Sequence, residues 1–167
     1  MKIEPSTAEG IALDWAVGQC DRRKLYLAKS KRLMTANYGT FNHRHGAPWY
    51  EPSKNWLQAG RIIQSNLITL DITDTAYDDK TDECIKLKTP EWWSSIGEVT
   101  ARGSTPLIAA MRCFVAYRLK QAGLTAFELP PDVADAYRAE LARHEKYMKQ
   151  RERWLKISTK LLKGEPE

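Results

Sequence analysis

Cysteine is scarce in this chain and odd in number: Cys20, Cys84 and Cys113 stand far apart, each among apolar neighbours. That usage excludes a disulfide framework and reads as reduced, packed thiols. No run of about 18 apolar residues occurs, so a membrane-spanning helix is not expected. The opening Met1–Thr7 lacks the apolar stretch of a secretory signal, and the expected location is the cytoplasm. The residue groupings of catalysis are missing too. Ser53 and Ser104 have no histidine at a readable distance, and no glycine-rich phosphate cradle occurs. His43 and His45 lack a third and fourth ligand, so no metal site is assigned. The acidic stretch Asp78–Glu83 lacks the alternating oxygens and turn glycine of a calcium loop. No catalytic residue and no cofactor is therefore assigned, and an enzyme is the minority reading.

What is present is the composition of a globular protein: 167 residues, 43% hydrophobic and 10% aromatic, enough for one compact domain with an appendage. The formal net charge of +5 permits an anionic partner. Its placement is uneven. Arg22, Arg23, Lys24, Lys29, Lys31 and Arg32 form a basic block, a second basic excess runs from Arg143 to Lys163, and Asp71, Asp74, Asp78, Asp79, Asp82 and Glu83 lie between. A nucleic-acid binder gathers its cations on one face. Blocks of both signs suit solubility or self-association equally well, so nucleic acid ranks below other partners.

Ser6 followed by Glu9 has the form of a capping box, predicting a helix from Ser6 with Ala12, Leu13, Ala16, Val17 and Cys20 facing the core. Leu25-Tyr26-Leu27 fits a short strand or a helix continuation, and Met34 to Pro48 reads as a loop. A second helix is expected from Pro52-Ser53 to about Gln64, weakened by Gly60. Leu67–Ile72 and Cys84–Lys88 alternate as strands, joined by the acidic section as a long hairpin loop, with Trp92–Ile96 as a third extended piece. Gly103-Ser104-Thr105-Pro106 opens a largely buried helix that Gly123 ends. After Pro130-Pro131 a long polar helix is expected from about Asp132 to Leu162. Leu141, Met148, Leu155 and Leu162 recur on it every seven residues, a seam suited to self-pairing.

Residues 50–63 are the densest concentration of recognition chemistry. Tyr50 and Trp56 offer flat faces able to stack a nucleobase; Ser53, Asn55 and Gln58 offer directional hydrogen bonds. The competing readings are core aromatics, a helix cap and a solvated glutamine. Arg112 lies on an otherwise apolar helix and needs a partner, either a ligand phosphate or a carboxylate such as Asp14.

Three blocks together resemble the NinX-like accessory proteins of lambda-like bacteriophages: Leu13-Asp14-Trp15-Ala16-Val17, the run Tyr50 to Ile63, and Thr105-Pro106-Leu107-Ile108-Ala109-Ala110-Met111-Arg112. The likeness covers roughly residues 9–129. Family members tend to carry an extra glycine and a proline before the double isoleucine, where this chain has Ala59-Gly60-Arg61, and the basic C-terminal helix is not associated with the family core. The resemblance implies a phage-encoded, non-structural protein of the bacterial cytoplasm. It implies no activity.

The expected fold is α+β: a small, mainly antiparallel sheet from residues 67 to 96 packed on helices at 6–20 and 106–121, plus a long C-terminal helix. Residues 1–130 form the expected domain, and 131–167 a basic helix suited to oligomerisation. The expected function is non-enzymatic binding of a small anionic or nucleotide-like ligand, used against a host defence signal. Its ligand-binding residues are Tyr50, Ser53, Asn55, Trp56, Gln58, Arg61, Arg112, Asp14 and Trp15, with a basic residue from Arg22 to Lys24 as an alternative phosphate contact. The alternative is a protein that binds and inhibits a host nucleoprotein complex. A membrane is not an expected partner; a second copy of the chain is.

Overall fold

The computed structural model describes residues 1–35, 49–78 and 83–163, with side chains for all of these except 74–78, 83–90 and 160–163. Among the described residues the elements run β1 (Lys2–Ile3), α1 (Gly10–Cys20), β2 (Leu25–Leu27), β3 (Leu33–Thr35), α2 (Trp56–Ser65), β4 (Thr69–Asp78), β5 (Glu83–Ile96), β6 (Val99–Gly103), α3 (Pro106–Gln121), β7 (Phe127–Glu128) and α4 (Pro131–Lys163). The fold is α+β, and its strands form three small antiparallel sheets: β1–β7, β2–β3 and β4–β5–β6.

The centre is α3. The Thr105 hydroxyl accepts the Ile108 amide at 3.2 Å, and Pro106 takes the first helical position, where a missing N–H costs nothing. Leu107, Met111, Phe114, Val115 and Leu119 are all buried, because α3 is covered on both sides. The three-stranded sheet packs on one side and α1 on the other, while α1 also packs on α4. The expectation that α1 lies against the sheet is thus corrected: α3 is interposed between them. The large fully buried side chains Phe114, Leu13, Met111 and Val17 come from these two helices and form the heart of the core.

Several sequence expectations shift in register. The Ser6–Glu9 capping box does not form; α1 begins at Gly10, and its Glu9 cap makes no side-chain cap bond. Glu140 of α4 supplies the missing carboxylate, accepting the Ile11 amide at 3.0 Å. Leu25–Leu27 is a strand, and its partner Leu33–Thr35 comes from a stretch read partly as loop. The second helix starts at Trp56, capped by Asn55, rather than at Pro52-Ser53. Trp92–Ile96 is not a separate strand but the end of the long β5, and the third strand is Val99–Gly103. A two-residue turn, Gly97-Glu98, joins β5 to β6, with Gly97 at φ +56 as a type II′ turn requires. The acidic section is not a long loop: β4 runs on to Asp78 and β5 begins at Glu83. Its residues 79–82, like the His43–His45 pair, lie outside the described residues.

The 33 residues of α4 span about 50 Å at 1.5 Å per residue. Val133, Ala134, Ala136 and Tyr137 are buried in the domain; from Leu141 to Thr159 every residue is exposed. No helix among the described residues is long and apolar enough to cross a membrane.

Candidate functional site

The segment before α2 is folded by the residues that the sequence marks as recognition groups. Asn55 is the helix cap, its side chain accepting the Leu57 amide at 3.0 Å. Gln58, one turn on, reaches back: its Nε2 donates to the Trp49 carbonyl at 2.6 Å, and its Oε1 accepts the Glu51 amide at 2.7 Å. One glutamine thus closes the chain reversal that precedes the helix. Asp14 of α1 accepts the Ser53 amide at 2.8 Å and ties the same segment to the core. Asp14 is only 2% exposed. Burial pushes its carboxyl up from 3.8 to about 7, against the opposing pull of the Ser53 N–H, the nearby Ser53 hydroxyl and the Lys54 charge.

Tyr50 is buried beside these groups, under the Arg23 guanidinium at 5.9 Å from its ring centre. Burial, then the neighbouring Asp21 charge, drive its phenol well above the usual tyrosine range. Tyr50 forms a wall common to two crevices. One, of about 150 Å³, is lined by Asp21, Arg23, Thr35, Trp49, Gln58 and Arg61 among others. The other, of about 230 Å³, gathers Lys31, Arg32, Lys54 and Arg143 around Asp14, Glu51 and Glu140. Gly18 makes room for this packing: a Cβ there would lie 2.3 Å from Leu25 Cδ1 and 3.1 Å from Tyr50 Cε1. Among the described residues, the buried side-chain polar atoms without a well-formed hydrogen bond are Thr35 Oγ1, Tyr50 Oη, Ser53 Oγ and Trp93 Nε1. Thr35 and Tyr50 line the crevices, whereas the Ser53 hydroxyl lies against the Asp14 carboxyl.

The expected ligand set is therefore divided. Tyr50, Gln58 and Arg61 meet at the smaller crevice; Tyr50 and Asp14 meet at the larger. Ser53 lies buried behind Asp14. Trp56, 55% exposed on the outside of α2, lines neither crevice, and Trp15 packs against the core on α1. Arg112 is elsewhere, and the expected Asp14–Arg112 bridge does not form. Its Nε donates to the Ala8 carbonyl, its Nη1 to the Arg102 carbonyl and its Nη2 to Glu9 Oε1, at 2.9, 3.0 and 2.9 Å. Asp14 took a backbone amide instead, and the two groups never meet. Sequence reasoning missed Thr35, Trp49, Lys54 and Arg143 as wall residues. Lys31 and Arg32 were visible only as part of a basic block.

No group of three or more His, Cys, Asp or Glu among the described residues is placed to hold a metal ion. Both described cysteines, Cys20 and Cys113, are free. Burial raises each thiol, Cys20 to about 11, so neither is poised as a nucleophile.

The architecture is that of a small α+β domain whose recesses beside Tyr50 are walled by cations, carboxylates and buried hydroxyls without a partner among the described residues. Residues 5–118 match the family model described as Bacteriophage P22, NinX, and the chain belongs to that family. It is accordingly a phage accessory protein. The match ends within α3, leaving α4 outside it. A comparison with curated proteins finds no match.

Proposed function

We propose that this phage protein binds, without turning it over, a small anionic or nucleotide-like ligand at the crevices beside Tyr50, and so withdraws a host defence or metabolic signal. The observation that carries the reading is a pair of buried hydroxyls, on Thr35 and Tyr50, without a hydrogen-bond partner among the described residues, in crevices whose walls carry six cations against four carboxylates. A buried polar group left unsatisfied costs about 1–3 kcal/mol, and anionic oxygens entering beside it would remove part of that cost. Each crevice is smaller than the roughly 300–1,000 Å³ of a drug-sized ligand site. One of them suits a phosphate-sized group, and a nucleotide would span both by shifting Tyr50.

The test is thermal unfolding with inorganic phosphate and with nucleoside mono- and diphosphates, together with mass spectrometry of any small molecule released on denaturation. A ligand at about 100 times its Kd stabilises by about 2.7 kcal/mol. Arg23→Gln with Arg61→Gln should erase the shift for a ligand in the smaller crevice, and Lys31→Gln with Arg32→Gln for one in the larger. Trp56→Ala should leave it intact. No released molecule and no shift with any of these anions would end the proposal.

A second reading, inhibition of a host protein complex, is favoured by the exposed row on α4. Tyr147, Met148, Trp154, Leu155 and Ile157 all stand in solvent there amid basic residues. It predicts a co-purifying host protein that is lost when Arg151, Arg153 and Lys156 are reversed in charge.

A further inference from the structure

A recess of about 700 Å³ lies away from Tyr50, between the edge strand β6 and α3. Four consecutive residues of β6, Val99 to Arg102, form one wall. Arg112, Ala116, Leu119 and Lys120 of α3 form the other; their spacing of four, three and one places them on one helix face. Pro5 and Leu124 add apolar surface to the lining. We infer that this groove receives an extended, acidic peptide segment of a partner protein, which adds to the sheet as a strand alongside β6.

The backbone points there first. Among the described residues β6 pairs with β5 alone, so its outer edge is open. Across the two-residue turn Ile96 and Val99 form the closing pair, and Ser94 pairs with Ala101. In an antiparallel hairpin the intervening residues, here Thr100 and Arg102, turn their amides and carbonyls away from the neighbouring strand. One of those outward groups, the Arg102 carbonyl, is taken by Arg112 Nη1 at 3.0 Å. The Thr100 amide and carbonyl make no hydrogen bond to other described backbone or side-chain groups. A row of backbone donors and acceptors beside a helix-walled apolar groove is what an extended peptide recognises by strand addition.

The side chains point the same way. Ala101 and Ala116 are small and line opposite walls of the groove, which leaves width for alternate apolar side chains of an inserted strand. The charge of the lining favours an acidic guest: Arg102, Arg112 and Lys120 stand against Glu4 alone. Two of these cations are held loosely. Arg102 pairs with Glu91 at 3.7 Å and Lys120 with Glu98 at 3.4 Å, with Glu91 partly exposed and the other three side chains more than half exposed. Exposed pairs of that kind contribute little, so a carboxylate of the guest can displace them. Arg102 also stacks on Trp93 at 4.1 Å, and both residues line the groove.

The test uses the full chain and a fluorescein-labelled heptapeptide of alternating glutamate and valine, read by fluorescence anisotropy. Controls are the same peptide with alternate backbone nitrogens methylated, a lysine–valine peptide, and Thr100→Pro. Proline removes the outward amide but no hydrogen bond to β5, and edge strands tolerate it. Binding of the Glu–Val peptide, weakened about tenfold or more by methylation and by Thr100→Pro, is expected, since one to two backbone hydrogen bonds are lost. Should Thr100→Pro not fold, Ala116→Leu, which fills the groove without touching the backbone edge, must weaken binding likewise. Slower exchange of the Thr100 amide in the complex is the direct sign of the added strand. Equal binding of the methylated or the lysine–valine peptide, or none at about 1 mM peptide, overturns the inference. So does protection of Thr100 without peptide in a protein that self-associates, which would assign the edge to a second copy.

Discussion

Replacing Asp14 by asparagine should stabilise this protein above neutral pH, although it removes a charged group from a hydrogen-bonded pair. The carboxyl is buried and accepts the Ser53 backbone N–H at 2.8 Å. Its pKa rises from 3.8 in the unfolded chain to about 7 in the fold. At about 1.4 kcal/mol per pH unit, ionising it inside costs on the order of 4 kcal/mol more than ionising it in the unfolded chain. Between about pH 4 and 7 the folded state keeps a proton that the unfolded state has released, so stability falls as pH rises through this window and levels off above it. The asparagine amide would present a carbonyl oxygen to the same N–H without a charge. In urea denaturation the wild type should therefore lose stability from about pH 4.5 to pH 8, and Asp14→Asn should lose much less. The variant should be nearly equal to the wild type at about pH 4.5 and more stable at pH 8 by roughly 2–4 kcal/mol. A variant less stable at the higher pH, or a difference that does not change with pH, would refute the account and mean that Asp14 is held as a useful anion.

Gly10→Ala tests the cap contributed by α4: Gly10 has φ +51, and a Cβ would lie within van der Waals overlap of the Glu140 carboxylate. Both strains oppose the change, and a loss of about 1–3 kcal/mol in chemical denaturation is expected, with the Ile11 amide exchanging faster. Phe114→Ala opens a cavity at the centre of α3, where the ring is 1% exposed, and should cost about 3–5 kcal/mol in the same assay. Thr105→Ala removes the hydroxyl that accepts the Ile108 amide and should cost about 1 kcal/mol, with faster exchange confined to the first turn of α3.

Legibility differed sharply between local and distant interactions. The Thr105-Pro106 start, the buried circumference of α3, the strand character of 69–72 and the extent of α4 could all be read, because each depends on neighbours within a turn or a few residues. The start of α1 could not. Its carboxylate comes from Glu140, 129 positions from the Ile11 amide it accepts, while the nearer Glu9 turns to Arg112. The amides of the Tyr50–Ile63 run are legible as directional groups, but spacing on a helix does not show that the chain doubles back before it. Gln58 is bonded to the Trp49 carbonyl and the Glu51 amide for that reason, and Trp56 is left on the outside.

The amino-acid sequence by itself determined the class of fold, the family and the segments rich in hydrogen-bonding side chains, since periodicity, caps and short motifs are properties of contiguous residues. Only the tertiary structure decided which of those side chains are consumed in holding the chain together and which stand around a recess. It brought Thr35, Tyr50, Arg23 and Arg61 from four separate segments to one crevice. Among the described residues it also left one edge of a sheet open beside α3. Both follow from long-range packing, in which each polar group takes whichever partner the buried core places within reach, at whatever distance along the chain.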